Sequence, residues 1–329
     1  MQTRHSRTYF FVPPVRKPTG GVAVILRMAE MLHEAGHDAA LALLEPLGWR
    51  PEGPALPETD LAGARPGPGD VWVVPEGWVN ALAPGLQGKA RCMVYVQNWA
   101  YLFNGLPPGV DWRSLPVSFA AVSRPVSWFI SRSLGVDAPV LRPGIDLSVF
   151  TPSPAKPETL TVAYMPRKNK AQAEEIRRVI EARGRFEVHW SEISGLDQAG
   201  VAAALKASHC FLATGFPEGC PLPPLEAMAS GAIPAGFAGY GGWDYMRQAA
   251  DGRYAPDCPM DPVDWGGNGF FVPDNDVLGA ALALEDALAL WRGGGKRLDA
   301  VLADCARTAK AYGLEAQKRS VLDFWKSLG

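Results

Sequence analysis

The sequence has few cysteines and no cysteine framework. Its five cysteines are scattered through 329 residues, and none forms the C-x-x-C pair that is typical of zinc sites or redox disulfides. An odd number of separated cysteines indicates free thiols, which persist in a reducing compartment. We therefore expect a cytoplasmic protein that is held together without disulfides.

The sequence also lacks an excess of positive charge and any long hydrophobic run. Its formal net charge is −2, which argues against a nucleic-acid partner. No apolar stretch approaches the roughly 20 residues that cross a bilayer, and the first residues carry no apolar core of a signal peptide. Peripheral contact with the inner face of a membrane stays open.

Short apolar segments alternate with stretches of helical periodicity in the first half of the chain. Apolar residues recur at helical spacing over 22–32, and Gly36 follows as a stop signal. The proline-rich segment 45–69 reads as an irregular surface excursion with room for a short edge strand. Short apolar strands between helices predict a parallel sheet in an α/β domain. The predicted strands are 8–12, 39–44, 71–74, 92–97 and 119–122.

The same alternation begins again after the proline-rich stretch 151–157. Two such series joined by a linker indicate two doubly wound domains. We assign these domains to 1–151 and 152–310, and a final helix to 311–329. In the second series the predicted strands are 160–165, 186–190 and 209–213, and the predicted helices are 173–182, 201–207 and 225–230.

The most informative segment is TGFPEGCPLPPLEAMASG, at 214–231. It follows a predicted strand and opens a predicted helix, and its two glutamates, Glu218 and Glu226, are separated by seven residues. An ionised carboxylate accepts several hydrogen bonds and can hold the vicinal hydroxyls of a ribose or hexose. The unpaired N–H groups at a helix N-terminus favour an anionic ligand. Together these features predict a site for a phosphorylated sugar.

This segment resembles the E-x7-E element of the retaining GT-B glycosyltransferases, particularly glycosyltransferase family 4. The resemblance implies two Rossmann-like domains that face each other across a cleft, with the final helix packing back on the first domain. It implies that Glu226 binds the nucleotide ribose and that Glu218 contacts the donor sugar at the reacting centre. The intervening backbone would line the diphosphate and sugar, through Gly219, Cys220, Pro221 and Leu222.

Two weaker motifs fit the same family. The family usually places an arginine and a lysine on the donor diphosphate after the first strand of the second domain, where this chain reads MPRKNK at 165–170. Arg167 and Lys170 are the expected catalytic cations and Lys168 a further donor contact, although an exposed basic turn is the alternative interpretation. Gly20 and Gly21 open the first helix and would let backbone approach the donor.

The chain departs from the family at one position. Many members carry a histidine in the first domain that touches the donor sugar, whereas the comparable strand end here reads VQNW at 96–99. We expect Asn98 and Trp99 to contact the acceptor or the sugar instead, together with Tyr240 in a glycine-rich turn. Ordinary packing is the alternative role for the aromatic rings.

The five histidines of the sequence include no evident general base. A retaining enzyme needs none, because the departing phosphate can take the proton of the acceptor. The D-x-D sequence at 274–276 precedes a predicted helix, so we interpret Asp276 as a helix N-cap rather than a metal ligand. We expect no metal and no cofactor, since the nucleotide diphosphate-sugar is a substrate.

The sequence thus predicts a retaining glycosyltransferase that moves a sugar to a carbohydrate or lipid-linked acceptor. A sugar-nucleotide hydrolase or epimerase on the same fold stays open, because a fold does not fix a reaction. A non-catalytic nucleotide-sugar-binding subunit also stays open, because the family's histidine is absent. A nicotinamide dehydrogenase fits less well, since Gly20 and Gly21 lack the G-x-G-x-x-G spacing.

Overall fold

The computed structural model describes residues 6–16, 20–49, 53–250 and 254–328. The chain forms two compact units, which are considered separately below. Unit 1 comprises Met1–Arg142 and Gln317–Gly329, and unit 2 comprises Pro143–Ala316.

Within the described residues, unit 1 is built on a six-stranded sheet of parallel strands in the order β3-β2-β1-β4-β5-β6. The predicted α/β alternation is confirmed, and the excursion at 45–69 contributes only the three-residue edge strand β3. The elements are β1 (Arg7–Val12), α1 (Gly20–Glu34), β2 (Asp38–Leu43), β3 (Glu58–Asp60), β4 (Val71–Pro75), α2 (Ala83–Gln87), β5 (Arg91–Val96), β6 (Val117–Ala121) and α3 (Arg124–Leu134).

The strand order of unit 1 reverses between β1 and β4. The chain runs from β1 outward to β2 and β3, and then returns to place β4 on the other side of β1. Ligands of open parallel sheets bind outside the carboxyl ends of the strands at such a switch point. In unit 1 that position belongs to the residues that follow β1 and β4.

Unit 2 carries a five-stranded parallel sheet in the order β11-β10-β9-β7-β8. Its strand order reverses between β7 and β9, so its switch point lies where these two strands end. The elements are β7 (Thr161–Tyr164), α4 (Lys170–Arg183), β8 (His189–Glu192), α5 (Gln198–Lys206), β9 (Cys210–Ala213), α6 (Leu222–Ala229), β10 (Ile233–Phe237), β11 (Phe270–Val272), α7 (Val277–Gly293) and α8 (Gly295–Ala311).

Residues 143–150, which precede the proline-rich stretch, belong to unit 2. The position of the proline-rich linker at 151–157 predicts instead that they belong to the first domain. Ile145 pairs with the chain just after α8: its N–H donates to the Tyr312 carbonyl at 2.9 Å, and its carbonyl accepts from Leu314 at 3.1 Å. These backbone bonds tie 143–150 to unit 2. The proline content of 151–157 marks an irregular segment and does not mark where the contacts change.

The last helix, α9 (Leu314–Leu328), joins unit 1 from Gln317 onward. Trp325 is buried, its ring lies 5.8 Å from the ring of Phe10, and its Nε1 donates to Thr8 Oγ1 at 3.0 Å. The C-terminal helix therefore packs on the β1 strand of unit 1, as the resemblance implied.

No helix in the described ranges combines the length and the apolar character that crossing a membrane requires.

We expect Trp325→Ala to lower the free energy of unfolding by about 3–5 kcal/mol, because it removes a buried ring and leaves a cavity. Trp325→Phe keeps most of the ring but loses the hydrogen bond to Thr8, which costs about 1 kcal/mol. Denaturant unfolding measures both values. The neighbouring exposed substitution Lys326→Ala is the control and should stay within about 0.5 kcal/mol of wild type. An equal loss in the alanine variants at 325 and 326 would contradict this packing.

Candidate active site

The candidate site lies at the switch point of unit 2. Strand β7 ends at Tyr164 and leads into the loop 165–169, and strand β9 ends at Ala213 and leads into the loop 214–221. Because parallel strands all end at the same edge of the sheet, these two loops lie side by side. The loops contain three of the charged side chains that the sequence singled out in this unit: Arg167, Lys168 and Glu218.

Lys168 and Glu218 meet at this edge. The Lys168 Nζ atom lies 2.7 Å from Glu218 Oε1 and 3.5 Å from the carbonyl oxygen of Pro217. The side chains retain 34% and 23% of their accessible surface, so both groups can still be reached by a ligand. A cation and a carboxylate thus lie in contact at one partly exposed position.

Asn169 fastens the two loops together. Its Nδ2 donates to the carbonyl oxygens of Thr214 and Phe216 at 2.8 and 2.9 Å. Its φ is +58°, in the left-handed region that asparagine adopts more readily than most residues. Because of this backbone turn, the Lys168 side chain contacts Glu218 although helix α4 begins only two residues later, at Lys170.

Glu218 is held by its own backbone as well. Its N–H donates to the Gly239 carbonyl at 2.9 Å, and its carbonyl accepts from Gly241 at 3.1 Å. Glu218 and Tyr240 thereby form a parallel bridge. A Cβ on Gly241 would lie 1.9 Å from the Gly219 carbonyl oxygen, so only glycine permits this approach.

Tyr240 adopts an unusual backbone conformation. Its φ is +65° and its ψ is −59°, and the N–H of Gly241 donates to the carbonyl of Gly239 at 2.9 Å. These values describe a γ-turn of the rare, strained form. The expected glycine-rich turn therefore places Tyr240 beside Glu218, and its half-buried phenol has a raised pKa because burial disfavours the phenolate.

Asp274 supports the same turn. Its Oδ1 accepts the N–H of Gly239 at 2.7 Å. Burial raises the pKa of Asp274 to about 6, the bond from Gly239 opposes that rise, and the nearby charge of Glu218 adds to it. The neighbouring Asp276 caps α7 by accepting the N–H of Gly279 at 2.8 Å, so the interpretation of Asp276 as a helix cap is confirmed.

Glu226 lies in α6, where its side chain is half-buried. The start of this helix offers few N–H groups to an anion. The four positions from Pro221 to Pro224 are where a helix leaves N–H groups unpaired, and of these only Leu222 is not a proline. Anion binding here must therefore depend more on side chains than on the helix N-terminus.

The remaining residues of that loop are fixed by local packing. The carbonyl of Pro221 accepts the hydroxyl of Tyr245 at 2.6 Å. Gly219 is buried against Gly241, and Cys220 is half-buried. These contacts therefore hold in place the loop 219–222, which is expected to line the diphosphate.

The other two basic residues of the MPRKNK segment do not reach Glu218. Lys170 begins α4, is 63% exposed and pairs with Glu174 at 3.6 Å. Arg167 is exposed and makes no hydrogen bond or ion pair with the described part of the chain. Of the three candidates the structure brings only Lys168 to the glutamate.

The residues predicted in the first half of the chain gather at the carboxyl edge of unit 1. Gly20 and Gly21 open α1, and a Cβ on Gly21 would lie 3.0 Å from Gln97 Oε1. Asn98 is buried, and its Oδ1 accepts the N–H of Ala100 at 3.1 Å. The side chain of Asn98 therefore caps a short turn, and its expected contact with acceptor or sugar stays a prediction.

Trp99 follows Asn98 in that turn. Its ring centroid lies 5.6 Å from that of Phe129, and the residue is half-buried. The ring thus packs within unit 1, and the expected contact of Trp99 with acceptor or sugar stays a prediction.

Three residues that organise these edges were missed from the sequence: Asn169, Asp274 and Glu76. Each had a signal. An asparagine just before a helix is suited to a left-handed turn, and an acid that directly follows a buried strand, as Glu76 follows β4, lies at a ligand-binding edge. Asp274 belongs to the D-x-D sequence at 274–276, whose position before a helix indicates only the cap at Asp276.

We expect Asp274→Asn to stabilise the protein at neutral pH. The raised pKa means that the native state binds the proton more tightly than the unfolded chain, so the free energy of unfolding falls as the pH rises from about 4 to about 6. Asparagine keeps an acceptor for Gly239 without a charge. The variant should exceed wild type by about 1–3 kcal/mol at pH 7 and by under about 0.6 kcal/mol at pH 4 in denaturant unfolding.

The matched control is Asp276→Asn. Asparagine caps helices as well as aspartate does, so this variant should follow wild type within about 0.5 kcal/mol at both pH values. A variant at 274 that is less stable than wild type at pH 7 would contradict the assignment.

Comparisons with known proteins bear on the fold. No family model matches the sequence, and no curated protein matches it. Sucrose-phosphate synthase from Thermosynechococcus elongatus superposes with a TM-score of 0.70 at 12% identity over 99% of both chains. A glycosyltransferase from Rickettsia africae gives 0.71 at 12% identity over 98% of both chains.

The catalytic domain of starch synthase IV from Arabidopsis thaliana, bound to ADP and acarbose, gives a TM-score of 0.65 at 14% identity over 98% of this chain and 99% of that one. Identities this low establish a shared fold rather than a shared reaction. Two parallel α/β sheets and whole-chain similarity to these structures show that this chain has the GT-B fold.

Proposed function

We propose that this protein is a retaining glycosyltransferase that moves a sugar from a nucleotide diphosphate-sugar to a carbohydrate or lipid-linked acceptor. The observation that carries the proposal is the 2.7 Å contact between Lys168 and Glu218 at the switch point of unit 2. A diphosphate-linked sugar presents negative oxygens next to a ring of hydroxyls. A cation beside a carboxylate complements both parts.

The cation supports departure of the nucleotide. When the bond between sugar and phosphate breaks, negative charge develops on the leaving diphosphate, and a fixed cation stabilises that charge most where it forms. Lys168 is held in place by Glu218. Arg167 is exposed one residue earlier, and its planar guanidinium could clasp two phosphate oxygens at once. We therefore assign the leaving group to Lys168 and Arg167 rather than to Lys170.

The carboxylates hold hydroxyl groups. The second oxygen of Glu218, Oε2, has no hydrogen-bond partner among the described residues, so it can accept from a sugar hydroxyl. Glu226 lies on α6, beyond the loop that joins the two glutamates. This separation suits a ligand whose sugar lies over Glu218 and whose ribose reaches Glu226.

Retention is supported by what the histidines of unit 2 do. His209 Nδ1 accepts the N–H of Thr161 at 3.0 Å, and its ring packs edge-on against Trp291. His189 lies in β8 at the far edge of the sheet. With these two rings committed elsewhere, the departing phosphate is the simplest acceptor for the proton of the incoming hydroxyl.

The comparisons support the class of ligand. The starch synthase neighbour was solved with ADP and acarbose, and HepE from Anabaena, with a TM-score of 0.65, was solved with UDP. A nucleoside diphosphate is thus a fitting ligand for unit 2, while unit 1 would bind the acceptor.

We expect Lys168→Met to weaken nucleotide binding by about 10-fold or more, because a hydrogen bond from a charged group contributes about 1.5–3 kcal/mol. Lys170→Met, which removes an exposed lysine of the same segment, should change the Kd by less than about threefold. Calorimetry with UDP, ADP, GDP and dTDP identifies the nucleotide that wild type binds and gives both Kd values. Equal losses in the two variants, or no binding by wild type, would count against the proposal.

We expect the anomeric carbon of the product to keep the configuration of the donor, because His209 and His189 are engaged elsewhere in unit 2 and do not offer the general base that inversion requires. One-dimensional proton NMR of the initial product shows this configuration directly. The control reaction contains donor without acceptor. Rapid stoichiometric sugar release there would identify a hydrolase instead, and an inverted product would overturn retention.

A further inference from the structure

A buried acid lies at the switch point of unit 1. Glu76 is the first residue after β4, next to the end of β1, and only 5% of its surface is exposed. An ionisable group at this depth is costly unless its oxygens are satisfied. Its position is the one where open parallel sheets bind ligands.

Glu76 bridges the ends of two neighbouring strands. Its Oε2 accepts the N–H of Gln97 at 2.9 Å, and its Oε1 accepts the N–H of Asn98 at 2.8 Å. Gln97 and Asn98 are the two residues that follow β5. Both carboxylate oxygens are thus used to fix one turn of backbone.

That turn begins an ordered loop, 99–105. Asn98 caps its first residues, and the Nε1 of Trp112 donates to the Leu102 carbonyl at 2.7 Å. At the end of the loop, a Cβ on Gly105 would lie 2.9 Å from the carbonyl oxygen of Gly77. The loop therefore lies directly against the residue that follows Glu76.

The anchored loop exposes aromatic rings. Tyr101 and Phe103 are 47% and 44% exposed, and Trp78, two residues after Glu76, is 37% exposed. Aromatic rings with apolar faces and polar rims bind amphipathic ligands at small entropic cost when the backbone beneath them is fixed. A sugar ring, with apolar faces and hydroxyl edges, has the complementary chemistry.

We infer that Glu76 is a positioning residue for the acceptor: it fixes the turn at Gln97 and Asn98 so that Trp78, Tyr101 and Phe103 bind a sugar ring of that acceptor. This inference rests on the proposed transferase function and names the acceptor class as a carbohydrate. Glu76 acts through the backbone, since both of its oxygens are occupied.

The protonation of Glu76 gives the inference a distinct signature. Burial raises the pKa of Glu76 to about 7, and the bonds from Gln97 and Asn98 oppose that rise. No charged side chain of the described residues is among the causes of this shift. A protonated carboxyl has one hydroxyl oxygen, which accepts poorly, so one of the two N–H groups loses its partner below about pH 7.

Asp70 provides a matched control on the same strand. It directly precedes β4, is buried, and uses its two oxygens on the N–H groups of Arg7 and Gly67, at 2.9 and 2.8 Å. Like Glu76, it accepts a backbone N–H at each carboxylate oxygen, but it lies at the amino edge of the sheet.

The experiment compares Glu76→Gln with Asp70→Asn in the full chain. In the glutamine variant a side-chain NH2 replaces one carboxylate oxygen. The backbone N–H of either Gln97 or Asn98 then faces a donor and loses its acceptor. We expect the acceptor KM, measured with an oligosaccharide acceptor, to rise about 10-fold, with the nucleotide Kd unchanged. In wild type, kcat/KM should fall as the pH drops through about 7 and Glu76 becomes protonated. This acid limb of the pH profile should be absent in the glutamine variant. The Asp70 variant should keep the acceptor KM and the acid limb of wild type.

Glu76→Asp is a second variant that keeps the test informative if Glu76→Gln does not fold. Aspartate keeps the charge but is one methylene shorter, so it should retain an acid limb while raising the acceptor KM by a smaller factor. An acceptor KM that is unchanged in the glutamine and aspartate variants, or raised equally in the Asp70 variant, would overturn the inference.

Failure of the inference can be told from failure of the proposed function. If no donor and acceptor pair gives transfer, the proposed function fails, and hydrogen exchange of the Gln97 and Asn98 amides still reports on Glu76. We expect their protection factors in wild type to fall between pH 8 and pH 6. Protection at pH 8 that is identical in wild type and the glutamine variant would refute the positioning role.

Discussion

Every strand of both sheets is parallel, and this constraint determines where chemistry can occur. Parallel strands end on one edge, so the loops that follow them are gathered there whatever their sequence. The reversal of strand order then leaves one position in each sheet where two adjacent loops leave in opposite directions. Lys168 and Glu218 follow β7 and β9 at that position in unit 2, and Glu76 follows β4 at that position in unit 1.

The acids at these edges are stabilised mainly by backbone N–H groups. Glu76 accepts two such bonds and Asp274 accepts one, and the pKa of each is raised because burial outweighs them. Glu218 differs, because it has a lysine at 2.7 Å. A partly exposed ion pair of this kind contributes only about 0–1 kcal/mol to stability. Its contribution to stability therefore does not account for the pair.

The architecture could be predicted from the sequence because it depends on patterns that are local. Apolar strands between amphipathic helices indicate a parallel sheet wherever they occur, and Glu218 and Glu226 are singled out by the resemblance of their segment to the E-x7-E element. Boundaries were less predictable, since Ile145 joins unit 2 through pairing with Tyr312 and Leu314, which are remote in sequence. The choice of Lys168 over Lys170 likewise depends on the turn at Asn169.

The contacts of the supporting residues could not be predicted for a related reason. Asp274 accepts the N–H of Gly239, whose carbonyl accepts the N–H of Glu218, and the charge of Glu218 also acts on Asp274 directly. These residues are separated in the chain, and no spacing rule encodes such a relay. The prolines before and within α6 were visible in the sequence, but their effect required the helix start to be known. The sequence thus specifies which residue types reach an edge, and tertiary contacts decide which of them meet.

Backbone strain points to the same position as the charges. Four non-glycine residues of the described chain have positive φ, and three of them lie around Glu218. Asn169 joins the two loops, Tyr240 is the bridge partner of Glu218, and Asn275 follows Asp274. Asparagine adopts the left-handed region more readily than most residues, whereas the γ-turn at Tyr240 is strained and persists only where surrounding contacts enforce it. The contacts that enforce it are the backbone bonds of Gly239 and Gly241 to Glu218, so the strained turn and the position of Glu218 depend on each other.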